Sequence, residues 1–450
     1  MSCRPSLPAA IAVVLCMLGC SSNPLVDSPP GTPLAPSGPS SGVCDSLYLF
    51  TSSAVDPDSD SVALRFDWGD GDTSSWTNFI TSGGIAGAEH AWYFVSACSV
   101  RAQAKDRQGA LSGWSEAKTM PLAPGPRFAD SLIARIPVGA TPVGIAALPS
   151  GEYVYVACSD QKGVWVIRTS DNTVTAVVST GWQPMGVACT PDGQFVYVTD
   201  VFDQTVTIIR TSDNAVVETI PSIPAAGALT VLPDGQFVYV CCDDGTVAVI
   251  RTDNHAVVAR APAGSDQVGI VATPDSRCVA VACSGQGWIA IVRTSDHTVL
   301  KRVAVGDEPW GLAASPDGNR IFAAVGTDLI HGVSAVQPIR TPDFLLVDSA
   351  ASLGDMWPPM GMTRSPDGAY LYVLFEQVYP AVMAVVSTRT LQMAGCVSDL
   401  GVDVLGPYGA TYLPDGTLYV ADEDGECVSV FGFSSGSSPN PYFRRSRNGR

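Results

Sequence analysis

One short turn recurs seven times through the last two thirds of this chain, and its spacing restricts the fold more than any other feature. The copies are Leu148-Pro149-Ser150-Gly151, Thr190-Pro191-Asp192-Gly193, Leu232-Pro233-Asp234-Gly235, Thr273-Pro274-Asp275-Ser276, Ser315-Pro316-Asp317-Gly318, Ser365-Pro366-Asp367-Gly368 and Leu413-Pro414-Asp415-Gly416. Successive prolines are 42, 42, 41, 42, 50 and 48 residues apart. A period of roughly 40–50 residues marks a repeat architecture, in which each unit buries its apolar face against the next. Proline presets φ in such a turn, and glycine supplies the left-handed position that follows.

Every repeat has the same grammar. In the first, Val143-Gly144-Ile145-Ala146-Ala147 leads into the turn. Tyr153-Val154-Tyr155-Val156-Ala157, Val164-Trp165-Val166-Ile167 and Val174-Thr175-Ala176-Val177-Val178 follow it. These are four short strands rich in β-branched and aromatic residues. Seven such units around an axis define an all-β fold class, a seven-bladed β-propeller. The last repeat runs out of strands after Val428-Ser429-Val430-Phe431, while an orphan, Ser131-Leu132-Ile133-Ala134-Arg135-Ile136-Pro137, precedes the first. The orphan matches the fourth strand of the second repeat, Ala215 to Pro221, so it is expected to complete the last blade and leave no exposed edge.

Phe195-Val196-Tyr197-Val198-Thr199-Asp200, echoed by Tyr153–Cys158, Phe237–Cys242 and Thr417–Asp422, resembles the name motif of the YVTN-repeat, lactonase-like propellers. The turn Ile209-Arg210-Thr211-Ser212-Asp213-Asn214 is equally typical of them. The resemblance covers residues 125–433. It implies the fold but no single function, because the family spans lactonase-like enzymes, electron-transfer subunits and surface proteins without assigned chemistry.

The N-terminus reads as a targeting signal. Arg4 precedes an apolar run from Leu7 to Leu18 that is too short to span a bilayer as a helix. Met17-Leu18-Gly19-Cys20 resembles the lipobox of bacterial lipoproteins, which implies a signal peptide over 1–19 and lipidation at Cys20. The implied partner is a membrane, reached through the lipid anchor, and the implied location is the bacterial cell envelope. Residues 20–42, rich in Ser, Pro and Gly, are expected to form a flexible tether.

Residues 43–124 show short alternating strands punctuated by Asp56-Pro57-Asp58-Ser59-Asp60 and Asp67-Trp68-Gly69-Asp70-Gly71. With His90-Ala91-Trp92 and Val100-Arg101-Ala102-Gln103-Ala104, they resemble the polycystic-kidney-disease (PKD) domain, which implies an Ig-like β-sandwich. In such a sandwich Cys44 and Cys98 share strand parity with core residues, so a Cys44–Cys98 disulfide is expected. Asp56, Asp58, Asp60, Asp67, Asp70 and Asp72 are read as turn builders, with calcium as the alternative. His90 is read as structural.

Export permits disulfides. Of thirteen cysteines, Cys3 and Cys16 leave with the signal and Cys20 carries lipid, so ten remain. Cys158, Cys242 and Cys283 occupy equivalent places in three repeats and read as small buried hydrophobes.

Catalytic patterns are scarce. No nucleophile elbow, zinc-protease motif or phosphate-cradling glycine loop is present, and no residue is assigned to catalysis or to a metal. His255 and His297 fall in hairpin turns, His331 in a longer repeat without an obvious partner, and Arg168, Arg210, Arg251 and Arg293 recur at one outer-turn position. A net charge of −18 argues against nucleic acid. The basic tail, 434–450, is expected to be disordered. Asymmetry among repeats points instead to a rim. Where each repeat begins with a Pro-x-Gly-like step, the variable residue is Met185, Trp310, Met360 or Tyr408 in four of them, and Trp357 lies in added sequence nearby. These five are the candidate ligand rim. The expected function is a lipid-anchored binding or scaffolding protein that recognises a protein or glycan. The alternative is a lactonase-like hydrolase or quinoprotein-type enzyme using a metal at the propeller channel.

Overall fold

The computed structural model describes residues 27–433 except 45, 71, 93–96, 124–128, 130, 226, 329–333, 348–349, 355–358, 376–382, 398–406 and 424. Cys20, Trp357, His331 and the basic tail lie outside the described residues. The chain divides into an N-terminal body and a larger C-terminal one.

In the N-terminal body, Lys118–Ala123, Ala97–Lys105 and Ala63–Asp67 pair in that order, and Tyr48–Ser53 pairs with Ile85–His90 as a second sheet. Alternation along Ala97–Lys105 turns Cys98, Val100, Ala102 and Ala104 inward, and Phe50 of the second sheet meets Trp68 edge-on at 6.2 Å. Cys44 and Cys98 are both buried. The expected tether is partly a fixed strand neighbour instead. Gly31, Leu34 and Ser37 donate backbone hydrogen bonds to Val55, Ser53 and Thr51, while Pro30, Pro33 and Pro36 are buried. The proline spacing of three is the reason. An extended polyproline-like segment turns every third side chain to one side, and here that side is apolar.

The C-terminal body holds seven consecutive antiparallel sheets. Blade 1 is built from Pro142–Ala147, Tyr153–Cys158, Gly163–Arg168 and Thr173–Ser179, and the others repeat this order. Blade 5 departs from it in that its outer strand is split into Leu345–Leu346 and Ala351–Gly354, and blade 7 in that its outer strand comes from the start of the body. The innermost strands adjoin one another in cyclic order, and that of blade 7, Pro407–Tyr412, lies beside that of blade 1. Ser131–Pro137 pairs antiparallel with Cys427–Gly432, as its sequence match predicts. The protein is therefore a seven-bladed β-propeller closed by its own leading strand.

Local chemistry explains the recurrent turn. Glycine at its end donates to the carbonyl three residues back, for example Gly193 N to Thr190 O at 2.8 Å, and has φ of +69°. The aspartate carboxylate caps the following amide, as Asp192 Oδ1 does for Gln194 N at 3.0 Å. The threonine of each Arg-Thr turn then ties the hairpins together, Thr169 and Thr211 donating to Gly151 and Gly193 carbonyls at 2.6 Å. The recurrent arginines clamp their own turns, with Arg168 at 2.6 Å from Asp171 and Arg210 at 2.8 Å from Asp213.

In blades 1, 2, 3 and 7 the middle tyrosine of the second strand latches the neighbouring blade. Tyr155 and Tyr419 donate to Asn214 and Asn172 Oδ1 at 2.7 and 2.6 Å, and the Tyr197 and Tyr239 hydroxyls lie 2.8 and 2.7 Å from Nδ1 of His255 and His297. Each acceptor occupies the left-handed position of the next blade's outer hairpin. Where the tyrosine is missing, the acceptor is apolar too: Ala280 shares a core cluster with Phe344, and Phe322 with Leu391. In blade 6, Tyr372 instead accepts from Ala129 N at 2.7 Å, just before the closing strand. Both histidines are thus turn residues with a defined structural task.

Burial chiefly, together with the Arg251 charge, lowers the His297 pKa below its ordinary 6.5, although Asp296 opposes the shift. A lowered folded pKa means that the unfolded chain binds the proton more tightly. The latch therefore stabilises fully above 6.5 and weakens as pH falls below it. His297→Asn, which copies the acceptor of blades 1 and 2, is expected to flatten the fall in melting temperature between about pH 7.5 and 5.5. Tyr239→Phe is expected to cost about 1 kcal/mol at neutral pH. Thermal melts of the three proteins across that range check both.

Candidate functional site: the channel mouth

The innermost strands begin at one face of the propeller, and in blades 1 to 5 a residue at or just before that start adopts a left-handed backbone. Thr141, Gln183, Ala225, Asp266 and Glu308 have φ between +30° and +58°. Three of these positions are pinned by the same bond, in which Ser159, Val201 and Ser284 donate to the carbonyls of Thr141, Gln183 and Asp266 at 3.0 Å. A β-bulge follows immediately, as between Pro142 and Ile145 or Pro184 and Val187. Turn and bulge together aim the loops of this face around the channel.

Blade 2 carries the side chains that stand out. Trp182, in the loop before its innermost strand, is 51% exposed, and Phe202, in the loop between its second and third strands, is 68% exposed. The loops are tied together, since Phe202 N donates to Trp182 O at 3.3 Å and Trp182 N donates to Asp203 Oδ2 at 2.7 Å. Lys162 of blade 1 places its ammonium 3.7 Å from the Trp182 ring centroid, a cation–π contact. Below them Asp200 is fully buried and accepts from Thr207 at 2.6 Å. Burial pushes its carboxyl up despite the hydrogen bonds it receives from Thr207, Thr180 and Thr205. Gly181 is needed here, because a Cβ would lie 2.7 Å from Asp200 Cβ. An aromatic pair with a cation and a carboxylate is thereby held on a braced loop.

The expected rim fares differently. Met185, Trp310 and Met360 are each half-buried rather than projecting, and the Trp310 indole N–H is buried without a hydrogen-bond partner. Tyr408 sits in the innermost strand of blade 7, beyond which its side chain is not described. Among the described side chains of this face, the exposed aromatics are therefore Trp182 and Phe202 of blade 2. Trp182 and Phe202 were legible as loop aromatics without counterparts in other repeats, the signal that would have found them.

Arg364 is a second residue that the repeat pattern hides. It ends the innermost strand of blade 6, where blades 1, 2, 4 and 5 have Ala147, Cys189, Ala272 and Ala314. It is the one cation on the innermost strands among the described residues, and its Nη1 donates to the Ser365 and Pro366 carbonyls at 3.2 and 3.3 Å. Burial pushes its guanidinium pKa down. Cys158, Cys242 and Cys283 are buried in separate blades, and burial pushes the Cys158 thiol up to about 12, as suits an inert packing group.

Fold and site define a β-propeller with a loop-built polar and aromatic face at the channel mouth. Among solved structures the chain is similar to hydrazine synthase from Kuenenia stuttgartiensis, with a TM-score of 0.58 and 18% identity, covering 66% of this chain and 96% of that one. At that identity the likeness concerns the fold. Neither a scan of protein-family models nor a search of curated proteins finds a match.

Proposed function

We propose that this protein is a recognition module whose propeller offers the channel-mouth face to a protein or glycan ligand. The observation that carries the reading is the exposed Trp182–Phe202 pair beside Lys162 and Asp203, a constellation that occurs in blade 2 alone among the described loops. Aromatic rings with adjacent hydrogen-bonding groups suit sugar rings and peptide side chains, and exposed apolar surface of this kind marks interaction sites. The paired His255 and His297 are spent on blade latches, which supports recognition over hydrolysis. The lipobox-like Cys20 would anchor the module to the cell envelope as a lipoprotein. The PKD-like reading of the N-terminal body and the YVTN-type reading of the propeller fit such a surface-displayed protein. Export would also permit the Cys44–Cys98 bridge.

Screening the full chain against immobilised oligosaccharides and peptides is the test. Trp182→Ala with Phe202→Ala is expected to lower the affinity of any hit at least tenfold, the scale of a central aromatic contact. Unchanged affinity in that variant, with loss in Trp310→Ala or Met360→Ala instead, would return the site to the blade 5–6 arc.

A further inference from the structure

Outside the propeller, one end of the N-terminal body gathers five carboxylates from three segments: Asp27, then Asp56, Asp58 and Asp60, then Asp106. The segments are held together by bonds from Ser28 N to Asp58 Oδ2 at 2.7 Å and from Gln108 Nε2 to Asp60 Oδ2 at 3.0 Å. Asp56 and Asp106 are 2% and 1% exposed. Each spends Oδ1 on two backbone amides, those of Asp58 and Asp60 for Asp56 and those of Gly109 and Ala110 for Asp106. Each also keeps a buried Oδ2 with no hydrogen-bond partner. Among the described ion pairs, none joins a lysine or arginine to any of the five.

Two buried carboxylates without a counter-charge are costly, and a cation is the simplest way to offset them. Of the other three aspartates from the sequence reading, Asp67 pairs with Arg101 at 2.6 Å and Asp70 with His90 at 2.7 Å. We propose that this end of the N-terminal body binds a calcium ion, with the free oxygens of Asp56 and Asp106 at its centre and Asp27, Asp58 and Asp60 around them. No three His, Cys, Asp or Glu side chains among the described residues already form a metal cage. Calcium nevertheless takes six to eight oxygens in loose geometry, so side-chain rotation on three tied segments completes the shell. An all-oxygen, all-carboxylate set suits this ion and not zinc or copper.

The experiment uses the full chain, stripped with EDTA and melted in a calorimeter with and without millimolar calcium. Binding to the folded state alone raises the melting temperature of the N-terminal transition, here by roughly 5 °C or more. Asp56→Asn with Asp106→Asn keeps the Oδ1 acceptors for all four amides, so the body still folds. That double variant is expected to lose the calcium response and to melt at or above the stripped parent, since it no longer buries unpaired charge. Titration calorimetry on the parent is expected to give one calcium per chain. No calcium shift in the parent, an undiminished shift in the double variant, or an equal shift with magnesium would each overturn the assignment.

Discussion

Gly269→Ala is expected to destabilise the propeller by about 3 kcal/mol, whereas Gly227→Ala, at the same place in the neighbouring blade, is expected to be nearly silent. Where the innermost strands approach most closely, one leans on the next through bare backbone. A Cβ on Gly269 would lie 2.0 Å from the Trp310 carbonyl oxygen, and one on Gly144 would lie 1.9 Å from that of Met185. Neither contact is with a flexible side chain, so relief requires moving a strand of the ring. Close packing transmits such a displacement to the neighbouring blades rather than absorbing it. At Gly227 the nearest atom, the Gln267 carbonyl oxygen, is 4.0 Å away, an ordinary contact. Denaturant unfolding of both variants measures the difference. Equal stabilities would mean that the ring is wider at its axis than described.

A comparable loss is expected for Ile136→Asp in the closing strand. Ile136 is 3% exposed, pairs with Val428, and packs in a cluster with Val154, Val156, Tyr419 and Val430 that spans blades 7 and 1. An aspartate there buries a charge with no cation to meet it, a cost of about 3–5 kcal/mol. It also loosens the one strand that joins the two ends of the ring, which would expose the edge of blade 7. Ile133→Asp is the internal control. Ile133 is 58% exposed, on the outward face of the same strand, and the change is expected to alter stability by no more than about 0.5 kcal/mol.

The propeller was legible in the sequence because its determinants are local and repeated. A turn such as Thr190-Pro191-Asp192-Gly193 closes through its own backbone and its own aspartate, and the alternation in Phe195–Asp200 needs only adjacent strands. Closure was legible because one blade lacked a strand and another strand lacked a blade. The latches were not, because Tyr239 and His297 meet only when neighbouring blades stack, although each looked ordinary in its own repeat. The surroundings of the rim residues were not legible for the same reason. Whether Trp310 projects or packs depends on the strand beside it, which a single repeat does not reveal. Trp182 and Phe202 sit in loops that share no pattern with other blades. In the N-terminal body, the six aspartates looked alike by spacing, yet tertiary surroundings divide them, with Asp67 and Asp70 paired and Asp56 buried with an unpartnered oxygen, as Asp106 is.

Hydrogen exchange at residues 131–137 tests the closed ring most directly. If the leading strand completes blade 7, its amides are expected to be protected as strongly as those of Tyr153–Cys158, and Ile136→Asp is expected to abolish that protection selectively. Exchange of 131–137 within seconds in the unaltered protein, while the other blades stay protected, would contradict the account.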